Sequence, residues 1–135
     1  MKKWEVKPTI SVGGVRFHES RSAVRNQLEL SYKEIKKSNF SKNTMDVYES
    51  FHVFYNENDK MEAIEFFAGN ILILNGKTLF PGKLSNAQKL ISDFTDDGDG
   101  CISRRMSIGI TLSADDPTSI ESILVGCNGY YSDLD

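Results

Sequence analysis

Val47-Tyr48-Glu49-Ser50-Phe51-His52-Val53-Phe54-Tyr55, then Asn56-Glu57-Asn58-Asp59-Lys60, then Met61-Glu62-Ala63-Ile64-Glu65-Phe66-Phe67 is the stretch whose reading decides the fold. The outer runs are rich in β-branched and aromatic residues, and the five residues between them are polar turn formers. Such a pattern reads as a hairpin with strands over 47–55 and 61–67. A second hairpin follows at once. Residues 71–74 and 77–80 flank Asn75-Gly76, the dipeptide best suited to two successive positive φ angles.

Outward from these hairpins, helical periods alternate with extended ones. Ile10-Ser11-Val12 before Gly13-Gly14 reads as a short strand and a turn. Ser20 can cap a helix carrying Ala23, Val24, Gln27, Leu28 and Leu30, with Val24 and Leu28 as its core stripe. That period extends to Tyr32, Ile35 and Lys36, but Ser38, Asn39, Ser41 and Asn43 interrupt it, so residues 33–42 read as a frayed end and a loop. Farther on, Ser85 and Gln88 have capping-box spacing ahead of Ala87, Leu90, Ile91 and Phe94. A Gly/Asp loop occupies 95–100, and residues 106–112 alternate as a strand with Met106, Ile108, Ile110 and Leu112 on one face. Asp115-Asp116-Pro117 turns the chain, and residues 120–127 return as a strand.

The expected fold class is α+β: one domain over 1–135, a mostly antiparallel sheet, and two helices packed on one face. The order of elements in 10–28 recurs in 73–94, and each is followed by a two-stranded run, 47–67 and 103–126. This order suits two similar helix-hairpin halves, and it equally suits an ordinary α+β domain. At 135 residues the chain can bury a core without staples, so Cys101 and Cys127 are expected as thiols. Lys2 and Lys3 lack a following apolar stretch, and the longest wholly apolar run is residues 71–74, far below the ~20 residues that span a bilayer. The expectation is a cytoplasmic protein with no membrane partner.

Charge is divided unevenly. Residues 1–45 hold ten basic residues against four acidic ones, while 46–135 hold six against fifteen, so +6 faces −9 in a chain of net −3. Opposed fields of this kind point to a charged macromolecular partner rather than a small neutral ligand. The acidic loops supply the candidate partner-binding residues: Asp96, Asp97, Asp99, Asp115, Asp116 and Asp133, with Tyr130 and Tyr131 as aromatic anchors. Direct nucleic-acid binding is not expected. The basic and aromatic mixture at Tyr32, Lys33, Lys36, Lys37 and Lys42 is small, and the rest of the chain opposes it.

Catalytic and metal signatures are sparse. Residues 95–106 resemble an EF-hand loop through Asp97, Asp99, Gly100, Ile102 and Ser103, but Thr95 and Met106 stand where the first and last anionic ligands belong. A tight polar turn between a helix and a strand is the expected structure, with no metal and no cofactor. His18 and His52 are the only histidines, and a small hydrolase or nuclease using either is the enzymatic alternative.

The acidic α+β layout, with Glu62-Ala63-Ile64-Glu65-Phe66-Phe67 after a hairpin and Gly129-Tyr130-Tyr131 near the end, resembles bacterial immunity proteins of the polymorphic-toxin and contact-dependent growth inhibition type. The resemblance implies a non-enzymatic protein that binds a basic cognate toxin domain, often a nuclease, and blocks it. It transfers no particular binding residue, because immunity interfaces differ between lineages. A general interaction module is the other non-enzymatic expectation, and the oligomeric state is not legible.

Overall fold

A computed structural model describes residues 2–36, 38, 39 and 43–132. The first run of elements is β1 (Lys2–Lys7), β2 (Ser11–Val12), β3 (Val15–Arg16), α1 (Arg21–Leu28), β4 (Lys33–Lys36), β5 (Thr44–Val47), β6 (Phe51–Tyr55) and β7 (Met61–Phe66). The second is β8 (Asn70–Leu74), β9 (Lys77–Phe80), α2 (Leu84–Leu90), β10 (Thr95–Asp96), β11 (Gly100–Ser103), β12 (Ile108–Leu112) and β13 (Ile120–Gly126). The molecule is α+β, with two helices and mostly antiparallel strands in two sheets. The larger sheet runs β10-β11-β12-β13-β7-β6-β5-β4, and the smaller runs β3-β2-β1-β8-β9. Only β1 and β8 pair in parallel among the described strands. No helix is long and apolar enough to cross a membrane among the described residues.

The large sheet consists of two four-stranded meanders joined where β7 meets β13. Period two sends Ile64, Phe66, Ile123 and Val125 to one face, and all four are fully buried. The meanders also share bonding detail. Met61 donates its N–H to Glu19 O as Ile120 does to Gly82 O, and Arg21 donates to Asp59 O as Leu84 does to Thr118 O. Ser20 bridges Lys60 as Lys83 bridges Ser119. The β6·β7 register slips between Phe54 and Tyr55, and the β12·β13 register slips between Thr111 and Leu112.

Trp4, on β1, ties the small sheet to the large one. Its ring lies 5.0 Å from that of Phe51 and 4.9 Å from that of Phe66, and its Nε1 donates to Asn70 Oδ1 at 3.0 Å. Asn70 in turn donates to Ser50 O and Phe67 O, so this buried amide is satisfied on both ends.

Several local expectations match. Ser20 caps α1 by accepting from Ala23 N, and the Asn75-Gly76 turn has φ of 51° and 77° between β8 and β9. Others are corrected. The helix closes at Glu29, which is left-handed, and residues 33–36 pair with β5 instead of fraying. Residues 47–55 are not one strand, because Tyr48 donates its N–H to Phe51 O and folds a turn between β5 and β6. The second helix starts at Leu84 with Lys83 as its uncapped N-cap, so Ser85 makes no capping box. The Leu84–Thr118 backbone bond sets that start. The N-terminal β1 was not anticipated, and the expected single sheet is two.

Because Trp4 joins the sheets, Trp4→Ala is expected to cost about 3–5 kcal/mol. Urea unfolding followed by circular dichroism measures it, and a loss below about 1 kcal/mol would contradict the seam.

Candidate functional site

The acidic end of the large sheet is built on the hairpin of β10 and β11. Asp97 donates its N–H to Gly100 O at 2.9 Å, and Asp96 Oδ1 accepts from Gly98 N at 2.7 Å. These bonds, with the positive φ of Gly98, close a tight turn that holds the Asp97 and Asp99 side chains exposed. The EF-hand-like segment is therefore a turn between two strands, where a turn between a helix and a strand was expected. No group of three or more His, Cys, Asp or Glu residues positioned to hold a metal occurs among the described residues.

Two concavities meet at Thr111. Asp99 lines a groove of about 420 Å³ with Glu121, Ser113, Ala114 and Pro117. Asp97 lines a narrower cleft of about 90 Å³ with Glu65, Leu124 and Tyr131. Glu65 and Glu121 were not among the candidate partner-binding residues, since only the pairing of β7, β13, β12 and β11 brings them beside the aspartates. Tyr130 and Tyr131 are half-buried and fold back over the sheet, ring against ring at 5.1 Å. Glycines make that possible. A Cβ at Gly126 would lie 2.8 Å from the Tyr130 Cβ, and one at Gly109 would collide with the Tyr131 hydroxyl. Burial, with Glu62 nearby, pushes the Tyr130 phenol up to about 12, and burial beside Tyr130 and Glu65 raises Tyr131 as well.

The other candidates divide. Asp115 is exposed in the loop that borders the groove. Asp116, its neighbour, is occupied: it accepts from Thr118, from Ser119 and from Lys83 Nζ at 3.0 Å, and these bonds hold its carboxyl far below the usual range. Asp93 is similarly engaged by Ser103 and Arg105. Asp97, Asp99 and Asp115 make no salt bridge among the described residues. Asp133 lies outside the described residues.

Two of the N-terminal cations, Arg21 and Arg25, are spent inside the fold, while Lys3, Lys7 and Arg16 stay exposed. Asp46 on β5 is fully buried and accepts from Arg21 Nη1 at 3.2 Å, Arg25 Nε at 2.8 Å, Arg25 Nη2 at 2.7 Å and Tyr55 OH at 3.2 Å. Arg21 also donates from Nε to Asp59 at 2.8 Å, and Arg25 reaches Glu34 at 2.8 Å. Partial desolvation opposes ionisation of Asp59, but hydrogen bonds from Asn43 and Arg21 still hold its carboxyl below the ordinary range. Lys33 and Lys36 remain exposed on β4, at the far edge from β10. Seven strand spacings separate those edges, roughly 33 Å.

The histidines are apart. His18 donates its backbone N–H to Met61 O at one end of β7, whereas His52 pairs with Glu65 near the other and rests against Phe67 at 4.8 Å. Burial lowers the His52 pKa, with Glu65 partly opposing. Both cysteines are buried thiols with raised pKa, chiefly through burial. No protein-family model, curated protein or solved structure matches this chain.

Asp46→Asn leaves Arg21 buried against a neutral amide, and a loss of about 3–5 kcal/mol is expected in urea unfolding at neutral pH. The pH dependence follows from His52. Its folded pKa lies below 6.5, so the unfolded chain takes up that proton first, and stability declines as pH drops below about 6.5. A further decline below about pH 4 comes from Asp59, Asp93, Glu34 and Asp116, whose depressed carboxyls contribute in full above their unfolded values and lose that contribution as pH falls toward the folded ones. In His52→Gln the urea midpoint should be flat between pH 7.5 and 5 while the lower decline persists. An unchanged slope in that variant would refute the assignment.

Proposed function

We propose that this protein is a non-enzymatic, cytoplasmic immunity-type protein whose acidic end captures and neutralises a basic toxin domain, such as a nuclease. The observation that carries the proposal is the exposed pair Asp97 and Asp99, without salt bridges among the described residues, beside Glu65, Glu121 and the tyrosine-covered cleft, with exposed Asp115 in the loop bordering the groove. Arg21 and Arg25 are committed to Asp46, Asp59 and Glu34, so these two N-terminal cations do not cancel that field from outside. Complementary charge raises encounter rates and orients the partner, while Tyr131 offers a partly buried aromatic at the centre of the contact. Asp116 is better assigned to holding its own loop through Lys83 than to touching the partner.

The matched bonds and register slips of the two meanders support a duplicated helix-and-meander unit with both helices on the inner face of the large sheet. Such a layout frees the ends and the outer face of the sheet for a partner.

The test uses the basic domain of a secreted toxin encoded beside this protein. Association followed by stopped-flow fluorescence is expected to slow about tenfold or more between low salt and about 0.5 M salt. The triple change of Asp96, Asp97 and Asp99 to Asn should slow it comparably at low salt. Association indifferent to both, or a partner domain that is not cationic, would remove the proposal.

A further inference from the structure

We propose that this protein forms a two-fold dimer through the outer edge of β4, with a second copy of the chain as the occupant. Three observations carry it: an unpaired edge, the apolar residues gathered on it, and a register in which the strand complements itself.

No described strand pairs with the outer side of β4, whose backbone groups there lack a ladder. The opposite edge is protected differently. There β10 is two residues long and runs directly into the charged turn of Asp97 and Asp99. Four large apolar side chains are exposed among the described residues, Ile10, Leu30, Tyr32 and Ile35; Ile35 lies on β4, and Leu30 and Tyr32 precede it, Tyr32 with its ring against Arg25 and Tyr48. A soluble chain that leaves such residues beside an open strand edge presents a surface suited to strand addition.

The backbone decides which residues face outward. Tyr48 donates to Phe51 O, and antiparallel bonding alternates, so Asp46 bonds toward β6 while Met45 and Val47 bond toward β4. On β4, Lys33 and Ile35 therefore bond inward, opposite Val47 and Met45, and Glu34 and Lys36 bond outward. Two copies meeting antiparallel must pair through those outward residues. Setting Glu34 against itself, or Lys36 against itself, brings like charges together. The register centred on Ile35 sets Glu34 of each copy, a carboxylate that Arg25 and Thr44 of its own chain already hold, opposite Lys36 of the other, twice by symmetry, and stacks Ile35 on Ile35. It is also the mode by which β7 and β13 join the two meanders within one chain. The interface is short, so a dissociation constant on the order of tens of micromolar is expected.

Sedimentation velocity of the full chain from about 5 to 500 µM tests it, with far-UV circular dichroism confirming that each variant is folded. The wild type should pass from monomer to dimer across that range. Ile35→Lys and Lys36→Glu should each weaken the dimer about tenfold or more, while Lys36→Arg, which keeps the cation opposite Glu34, should preserve it. D97N/D99N, at the other edge, should leave it unchanged. A wild type monomeric at every concentration overturns the proposal, as does a dimer that both single variants leave intact. A folded Lys36→Arg variant that stays monomeric overturns the register.

Discussion

The antiparallel pairing of β7 with β13 is the constraint from which the rest of the molecule follows. It closes two four-stranded meanders into one sheet and places Ile64, Phe66, Ile123 and Val125 side by side on a single fully buried surface. Phe51, opposite Phe66 on β6, extends that surface, and Trp4 packs its ring against both, so that through Trp4 the smaller sheet is held. A slip of one residue in this pairing would turn the entire apolar row outward, since side chains alternate with period two. Register here is therefore strongly specified by burial. The acidic end depends on it too, because Glu65 and Leu124 face each other across the same pair and line the cleft with Asp97 and Tyr131.

The division of charge along the chain acquires a different meaning once the chain is folded. Two of the early arginines serve as anchors between α1 and β5, where Asp46 is buried and accepts from both. An ion pair at that depth gains little net stability over a well-packed apolar contact, but losing one member is costly, because the remaining charge is desolvated without compensation. Carboxylates also separate into those already satisfied, such as Asp116 and Asp93, and those left to solvent on the hairpin of β10 and β11. The outward field is set by which charges stay exposed and unneutralised, not by the linear tally of charges.

Elements with a strong local signal were legible. The β6 and β7 strands carry aromatic and β-branched residues, Asn75-Gly76 has the one dipeptide chemistry that suits its turn, and Ser20 caps α1 as its position implies. Elements defined by their neighbours were not. In β1 every second residue is Lys or Glu, and the strand exists because it pairs on both sides. In β4, Lys-Glu-Ile-Lys has no intrinsic strand character, and Thr44–Val47 supplies the ladder. The glycine and aspartate residues of 95–100 read as a loop because strand propensity is weak there, yet β12 draws Gly100–Ser103 into the sheet. At the site, Asp97, Asp99 and Asp115 stand exposed as expected, but Asp116 is occupied and Glu65 and Glu121 arrive from distant segments.

The amino-acid sequence alone determined the class of the fold, the positions of its strongest hairpins and helices, and the existence of an acidic excess beyond residue 45. These follow from local periodicity, turn chemistry and composition, which act over a few residues at a time. Only the tertiary structure decided that there are two sheets, which carboxylates are neutralised, and which face the open groove. Those outcomes rest on pairings between residues tens of positions apart, and the energy of a buried charge or a paired strand is set by the partner that the fold delivers.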